Sequence, residues 1–168
     1  MVGYVDADAA LSCSEILKVF RGVNEDTNVA IASRWVKGSR ILIRQPLIRV
    51  ILGRLYHYIS FFLFGLEKKD IQCGLKSFHR DVLEDIFGNI TVKNLSLDTA
   101  SLYLIHLSVY RVTELLVAWK DVNGSKVISS RVIFFMYITI IGRWLAHTRI
   151  GSFIGNSLKN INDAFGLL

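Results

Sequence analysis

Two aspartates, Asp6 and Asp8, follow directly on the short apolar run Val2 to Val5. Carboxylates two positions apart at the end of a strand can converge on one hard divalent cation, and that cation can bridge to a diphosphate. Acidic pairs with this spacing are common, so a solvated turn is the competing interpretation. Ligands of open α/β sheets bind at the carboxyl ends of strands, which favours a metal site.

Basic residues form a second candidate group, and they are unevenly distributed. No acidic residue occurs between Thr27 and Leu66, and this stretch contains six cations: Arg34, Lys37, Arg40, Arg44, Arg49 and Arg54. A second stretch without acidic residues, Val122 to Asn162, includes Lys126. Apolar residues lie between these charges, whereas nucleic-acid surfaces are more polar throughout. The pattern therefore indicates phospholipid headgroups or a lipid phosphate as the partner, and no nucleic acid.

A polar loop from Asp70 to Lys76 contains further candidates. Asp70 can orient a substrate hydroxyl or simply cap a turn, and Gln72 lies in the same loop. Lys126 follows the turn signal Asn123-Gly124 and is either a solvated side chain or a phosphate ligand. Arg49 is either a headgroup contact or part of the active site.

The elements that must position these residues alternate between strands and helices, which predicts an α/β sheet. We expect three strands, Val2 to Val5 (buried), Val29 to Ser33 and Val112 to Trp119. We expect four helices, from Ser14 to about Val23, over about residues 46–65, Ser77 to Ile86 and Leu97 to Leu107. A loop from Trp35 to Gln45 precedes the second helix.

The segment Leu47 to Phe64 is apolar over 18 residues but contains Arg49, Arg54 and His57. A charge at the bilayer centre costs about 2.5–3.5 kcal/mol, so we expect a helix lying in the membrane interface rather than crossing it. A core helix is the alternative. Its polar residues, Arg49, Gly53, His57 and Ser60, would form one narrow stripe.

Composition limits the possibilities further. A chain of 168 residues with 52% hydrophobic residues, net charge +6 and mean hydropathy +0.40 fits one ordered domain with affinity for apolar surfaces. Two cysteines cannot form a disulfide framework, and the first residues have no secretory signal. We therefore expect a membrane-associated protein at the cytoplasmic face.

The order of these segments resembles a known group of enzymes. Asp6-Ala-Asp8 is followed by Ala32-Ser33-Arg34, then Asp70-Ile-Gln-Cys-Gly-Leu-Lys76, Leu97-Asp98, Glu114 to Trp119, and Gly124-Ser-Lys126. This series is similar to the family-2 glycosyltransferases that load a sugar onto a polyprenyl phosphate, namely the dolichyl-phosphate glucosyltransferases and the related dolichol-phosphate mannosyltransferases. The resemblance runs from residue 2 to about residue 145.

The resemblance implies an α/β fold that is an incomplete glycosyltransferase-A sandwich with amphipathic membrane-interface helices. Residues 1–126 would be the C-terminal part of the catalytic domain, and residues 127–168 an amphipathic helical segment. Asp6 and Asp8 would hold Mg²⁺ or Mn²⁺ against the diphosphate of a nucleotide-sugar donor. Asp70 would be a further catalytic residue. The acceptor phosphate would face Arg34, Arg49 and Lys126, and Gln72 and Lys76 would shape the floor of the site.

The implied reaction is inverting transfer of a hexose, glucose from UDP-glucose, to a polyprenyl (dolichyl) phosphate. A mannosyl donor linked to GDP is the alternative within the class. Family members have an N-terminal nucleotide-binding part before Asp-x-Asp, so we expect a truncated or split member that works with a separate N-terminal half in trans. A non-catalytic, membrane-associated subunit that binds lipid phosphate is the alternative from another class.

Overall fold

The computed structural model describes residues 1–87, 97–122, 137–139 and 141–142. Six strands and four helices are defined within these ranges. They are β1 (Val2–Val5), α1 (Cys13–Arg21), β2 (Val29–Ser33), β3 (Arg40–Ile43), α2 (Leu47–Phe64), β4 (Leu75–Phe78), α3 (Arg80–Phe87), α4 (Leu97–His106), β5 (Val112–Leu116) and β6 (Ala118–Lys120).

The main sheet has four strands in the order β1-β4-β2-β5, and a second sheet pairs β3 with β6 in parallel. β4 is antiparallel to both of its neighbours, with Val5 opposite Leu75 and Ile31 opposite Lys76. β2 and β5 are parallel. The predicted α/β class is confirmed, and the ends of β1, β2 and β5 are brought to the region that contains the candidate residues.

Side chains of β2 alternate between two apolar clusters, one on each face of the main sheet. Val29 and Ile31 pack with residues of α2, α3 and α4, whereas Ala30 and Ala32 pack with Val19 of α1. This alternation is expected for a strand that is covered on both faces. All residues of β2 and of β4 are buried, so these two strands form the centre of the fold.

Two predicted helices are confirmed together with the residues that terminate them. α1 begins after Ser12, whose hydroxyl accepts a hydrogen bond from the Glu15 backbone N–H at 3.4 Å. α2 begins after Pro46 and ends at Gly65, which adopts a φ of +68° and donates its N–H to the Phe61 carbonyl at 2.8 Å. A left-handed residue after the last turn is the common end of a helix, and glycine adopts that conformation without steric cost.

Other predictions were wrong in detail. Ser77 and Phe78 do not begin a helix but complete β4, because both are fully buried between β1 and β2; the helix begins at Arg80. The loop predicted from Trp35 to Gln45 contains β3, and the strand predicted from Val112 to Trp119 divides at Val117 between the two sheets. β1 is half-exposed rather than buried, since it lies at the edge of its sheet.

The turn predicted at Asn123-Gly124 and most of the segment 127–168 lie outside the described residues. Within that segment, residues 137–139 and 141–142 are helical, and Tyr137 packs edge-on against Tyr56 of α2.

Candidate functional site

Asp6 and Asp8 lie immediately after β1, and both are exposed. The Asp6 backbone N–H donates to the Gly74 carbonyl at 2.8 Å, which extends the pairing of β1 with β4 by one residue. The Asp6 carboxylate lies against the Cα of Gly74, where a Cβ would come within 1.8 Å of Oδ2. Asp8 Oδ1 accepts from the Ala10 N–H at 3.0 Å, across a turn in which Ala9 has a φ of +55°. Main-chain geometry therefore orients both carboxylates.

Negative charge is crowded around Asp6. Partial desolvation of the carboxylate by its neighbours and the charges of Asp98 and Asp8 raise the pKa of Asp6, and the cations Lys76 and Arg34 only partly offset them. A divalent cation would relieve this repulsion. Among the described residues no group of three or more His, Cys, Asp or Glu side chains could hold a metal ion. Mg²⁺ commonly takes one or two carboxylates and completes its shell with substrate phosphates and water, so the Asp6–Asp8 pair fits such an ion.

A buried cluster lies beside Asp6. Lys76 is fully buried, and its Nζ donates to the Cys73 carbonyl at 2.7 Å and to Asp98 Oδ1 at 2.5 Å. The Tyr4 hydroxyl donates to the same carboxylate oxygen. Burial and the Asp98 charge raise the pKa of Tyr4, so the phenol stays protonated and remains a donor. Asp98 thereby connects β1, β4 and the first turn of α4.

Arg34 and Asp70 form a bidentate ion pair. Arg34 Nε and a terminal guanidinium nitrogen donate to the two Asp70 oxygens at 2.7 and 2.8 Å, and the Arg34 backbone N–H donates at 2.8 Å. Burial disfavours the guanidinium charge, but Asp70 outweighs it and raises the pKa of Arg34. Trp119 lies 5.2 Å from the guanidinium carbon, and the Glu114 carboxylate accepts from the Lys69 and Asp70 backbone N–H groups. Arg34 is therefore held rigidly as a cation.

A cationic cleft lies between α2 and the loop 69–72. Its lining includes Arg34, Arg49, Arg54, His57, Asp70 and Gln72. Arg49 pairs with Asp121 at 3.3 Å, and Arg54 lies over the Trp35 and Tyr58 rings at 5.3 and 5.2 Å. Several fixed cations around one cleft provide a binding site for an anion, and guanidinium groups match phosphate oxygens.

The predicted site residues fall into two neighbouring groups. The cleft brings together Arg34, Arg49, Asp70 and Gln72. A second group at the end of the sheet contains Asp6, Asp8 and the buried Lys76, and the charge of Arg34 reaches Asp6. Lys126 lies outside the described residues.

Arg54 was noted among the basic residues of the sequence, but Arg54, His57 and Asp98 were not selected as site residues. His57 had a signal, because Arg49, Gly53 and His57 recur every four residues and must share one helix face. That stripe was recognised but not connected with the loop 69–72. Asp98 belongs to the Leu97-Asp98 segment of the resemblance, but its pairing with Lys76 could not be predicted, since the two residues are 22 positions apart along the chain.

An exposed apolar surface adjoins the cleft, and we call it the α2 apolar face. It consists of Leu47, Ile48, Ile51, Leu55 and Phe62, whose exposures run from 49% to 80%. α2 is the one helix in the described part of the chain that is long and apolar enough to cross a membrane, with a mean hydropathy of 1.4 over 18 residues and 17% of that window buried. Length and composition alone also suit a helix in the interface.

Comparison with known proteins supports the predicted resemblance. The chain is 26% identical over 129 residues to the human dolichyl-phosphate beta-glucosyltransferase, covering 73% of this chain and 40% of that protein. It is 31% identical over 134 residues to a dolichyl-phosphate beta-glucosyltransferase of Trichomonas vaginalis, covering 75% and 40%. A polyprenol monophosphomannose synthase of Mycolicibacterium smegmatis is 32% identical over 82 residues, covering 49% and 31%.

The chain thus spans about 40% of the length of the glucosyltransferases that it matches. No protein-family model matches it. Two of these relatives are named glucosyltransferases and one a monophosphomannose synthase, and the predicted resemblance to family-2 glycosyltransferases is confirmed.

Proposed function

We propose that this chain, which resembles family-2 glycosyltransferases, carries the acceptor side and the metal-binding aspartates of an enzyme that transfers a hexose to a polyprenyl phosphate. Glucose from UDP-glucose is the proposed sugar and dolichyl phosphate the proposed acceptor. The observation that carries this proposal is a cleft with three arginines, Arg34, Arg49 and Arg54, placed beside the α2 apolar face. A polyprenyl phosphate has a charged phosphate and a hydrocarbon chain, so it needs a basic cleft and an apolar surface side by side.

The cleft accounts for the charge of the acceptor. A lipid phosphate carries about −1.5 to −2 charges near pH 7 and must approach another phosphate-rich substrate. Arg34 and Arg49 would offset that repulsion, with Gln72 as a neutral donor. Lys126 is assigned to the same phosphate by the resemblance. Asp70 is buried and bonded to Arg34, which supports a positioning role toward the substrate rather than direct contact.

Asp6 and Asp8 would hold the Mg²⁺ or Mn²⁺ ion. The bound metal would supply Lewis-acid stabilisation of the charge that develops on the nucleoside diphosphate. Asp6 is oriented by its close approach to Gly74, and Asp8 by the Ala10 N–H. Lys76 and Tyr4 fix Asp98 beside them, so the negative charge that attracts the cation is preorganised.

The chemical step needs no strong general base, because the acceptor is already an anion. Its phosphate oxygen attacks the anomeric carbon of the sugar as the bond from that carbon to the nucleoside diphosphate breaks. Attack opposite to the leaving group inverts the configuration and gives a β-linked lipid-phosphate sugar. The cleft residues bind and orient the nucleophile, which is the larger part of what such a reaction requires from a protein.

The membrane placement follows from the same surfaces. We propose that α2 lies in the interface of the cytoplasmic leaflet, with its apolar face among the acyl chains and the basic residues at the headgroups. The glycosyltransferase-A architecture and the division into residues 1–126 and 127–168 remain part of this proposal.

The test is glycosyl transfer by the purified protein, alone and together with a separately supplied N-terminal nucleotide-binding half, in detergent with Mn²⁺, dolichyl phosphate and either radiolabelled UDP-glucose or GDP-mannose. We expect organic-extractable glucose product, and none with Asp6→Asn or Asp8→Asn. Asp26→Asn is the matched control, since the Asp26 side chain is 90% exposed and lies in a turn away from the site. Mannose product in place of glucose would overturn the choice of donor. No lipid-linked sugar from either donor, with or without the N-terminal half, would overturn the enzyme proposal.

A non-catalytic lipid-phosphate-binding subunit is the second candidate. It is favoured by one observation, that Asp6 and Asp8 do not line the cleft that gathers the arginines. Binding of dolichyl phosphate that depends on Arg34, without transfer from either donor, would support this candidate.

A further inference from the structure

We propose that His57 binds the acceptor phosphate as an imidazolium and takes up a proton from solvent when the phosphate enters the cleft. This inference rests on the proposed function, because it identifies a residue that recognises the same acceptor. The ligand chemistry is that of a phosphate monoester, whose second negative charge distinguishes it from the diester headgroups of ordinary phospholipids.

Helix geometry places His57 in the cleft. It lies two turns after Arg49 and one turn after Gly53, on the same face of α2. Gly53 presents no side chain, and a Cβ at that position would lie 3.6 Å from Gln72 Oε1. The imidazole therefore lines the same space as Arg49 and Gln72.

One imidazole nitrogen lacks a hydrogen-bond partner. His57 Nδ1 is buried, and within the described residues no group accepts from it or donates to it. Buried polar atoms in native proteins are nearly always paired, and leaving one unpaired destabilises the structure. Nδ1 is inaccessible in this conformation, so the imidazole must rotate to turn Nδ1–H toward the cleft, where a ligand oxygen that accepts from it would supply the missing partner.

The charges that face His57 come from three elements. Arg54 lies on the same helix, Asp70 in the loop 69–72 and Glu114 on β5, and Arg34, Arg49 and Lys69 also line the cleft. Asp70 is neutralised by Arg34, and Glu114 accepts from the Lys69 and Asp70 backbone N–H groups. The net charge of the groups around the imidazole is therefore positive. Burial and Arg54 lower the pKa of His57, so the free imidazole is neutral near pH 7.

A phosphate dianion bound in the cleft adds negative charge beside His57 and so favours the protonated imidazole. An opposite charge within about 4–6 Å raises the pKa of a cation by about 1–3 units. The proton comes from the buffer and stays on the imidazole, while the phosphate keeps both negative charges. The resulting imidazolium donates a charge-assisted hydrogen bond to a phosphate oxygen.

The experiment measures the pKa of His57 by NMR in the ¹⁵N-histidine-labelled protein in detergent, with and without saturating farnesyl phosphate. We expect a free value below 6.5 and a rise of about one unit or more on binding. Calorimetry at pH 7.5 in two buffers of different ionisation enthalpy should show proton uptake that His57→Gln loses. His79→Gln is the matched control, because its side chain is 49% exposed and pairs with Asp81.

Two results would overturn the protonation of His57: a His57 pKa that does not move with bound farnesyl phosphate, or proton uptake that survives in His57→Gln. An affinity for inorganic phosphate equal to the affinity for farnesyl phosphate would overturn the assignment of a lipid phosphate as the ligand. The NMR measurement uses the wild-type protein and stays decisive if His57→Gln does not fold. Glycosyl transfer without the pKa rise would overturn this inference and leave the proposed function standing. A rise in the His57 pKa without glycosyl transfer would overturn the proposed enzyme function and leave the phosphate binding by His57 standing.

Discussion

The contact between Asp6 and Gly74 shows how one missing side chain can set the geometry of a site. The Asp6 carboxylate occupies the space that a Cβ of residue 74 would take, with Cγ 2.1 Å and both oxygens within 2.6 Å of that position. Gly74 is not needed here for a left-handed backbone, because its φ is not positive. It is needed because the carboxylate packs directly on the main chain.

We predict that Gly74→Ala forces the Asp6 carboxylate to rotate away. The cost in unfolding free energy should be small, because the clashing atoms are the exposed end of a flexible side chain, and Mn²⁺ affinity should fall as far as it does in Asp6→Asn. The double variant Asp6→Ala with Gly74→Ala is the control, since the clash is absent there. Urea unfolding of the four proteins measures the coupling. Additive effects of the two substitutions would contradict this account.

We predict that Asp6→Asn stabilises the metal-free protein at neutral pH. The pKa of Asp6 is raised in the folded state, so the folded protein binds this proton more tightly than the unfolded chain. The ionised carboxylate therefore destabilises the fold above the folded-state pKa, and the penalty vanishes below the ordinary value near 3.9. Urea unfolding of wild type and variant from pH 3 to pH 7 measures it. A stability difference that stays constant across this range would show that the Asp6 charge is not responsible.

The sequence pointed to individual residues of the candidate site, and their chemical roles stay predictions. Asp6, Asp8 and the arginines stand out by type and position, and the structure brings most of the selected residues to the cleft or beside Asp6. Their pairings could not be predicted. The Arg34–Asp70 pair joins residues 36 positions apart, and nothing local in either segment specifies a partner.

At the scale of elements, α2 combines a buried face with an exposed apolar one. Tyr56, Ser60 and Phe64 face the core, while the α2 apolar face is solvent-exposed. Large exposed apolar patches mark sites of protein or membrane contact. The basic cleft beside it, for which we propose a lipid phosphate as ligand, favours the membrane.

We predict that Ile48→Ser with Ile51→Ser lowers partitioning into phospholipid vesicles by about tenfold or more. Each isoleucine contributes roughly 1.5–3 kcal/mol when its side chain leaves water. Leu17→Ser is the control, because Leu17 is a comparably exposed apolar residue, at 56%, on α1. Vesicle sedimentation measures the bound fraction. An equal effect of Leu17→Ser would mean that the α2 apolar face has no special role.

Elements with local signals were predicted well, and those that depend on tertiary context were not. α1 has a serine cap and α2 ends at a glycine, and both helices lie close to their predicted bounds. Ser77 and Phe78 carry no such signal and were assigned to a helix. They belong to β4 because the sheet, and not the local sequence, provides their partners. β3 was missed for the same reason, as it pairs with β6 about 80 positions away.

At the scale of the whole molecule, the position of the charge matters more than its total. The net charge is +6, and the exposed Arg40 and Arg44 flank the apolar β3 next to α2. Near an anionic membrane each such residue contributes about 1 kcal/mol, and salt screens the contribution.

We therefore predict that Arg40→Glu with Arg44→Glu weakens binding to phosphatidylglycerol vesicles by about tenfold or more, and that added salt removes the difference. Arg21→Glu with Arg111→Glu is the control; both residues are exposed, and both double variants lower the net charge from +6 to +2. Sedimentation at low and high salt measures the effect. Equal loss in the two double variants would show that only total charge counts.

The strand order has a consequence for how the protein is made. β1 and β2 are never paired with each other, since β4 lies between them and is antiparallel to both. A ribosome releases the 18 residues of α2 before it releases β4. The apolar helix thus leaves the exit tunnel while the main sheet still lacks β4, and the nascent chain can bind a bilayer before that sheet is complete.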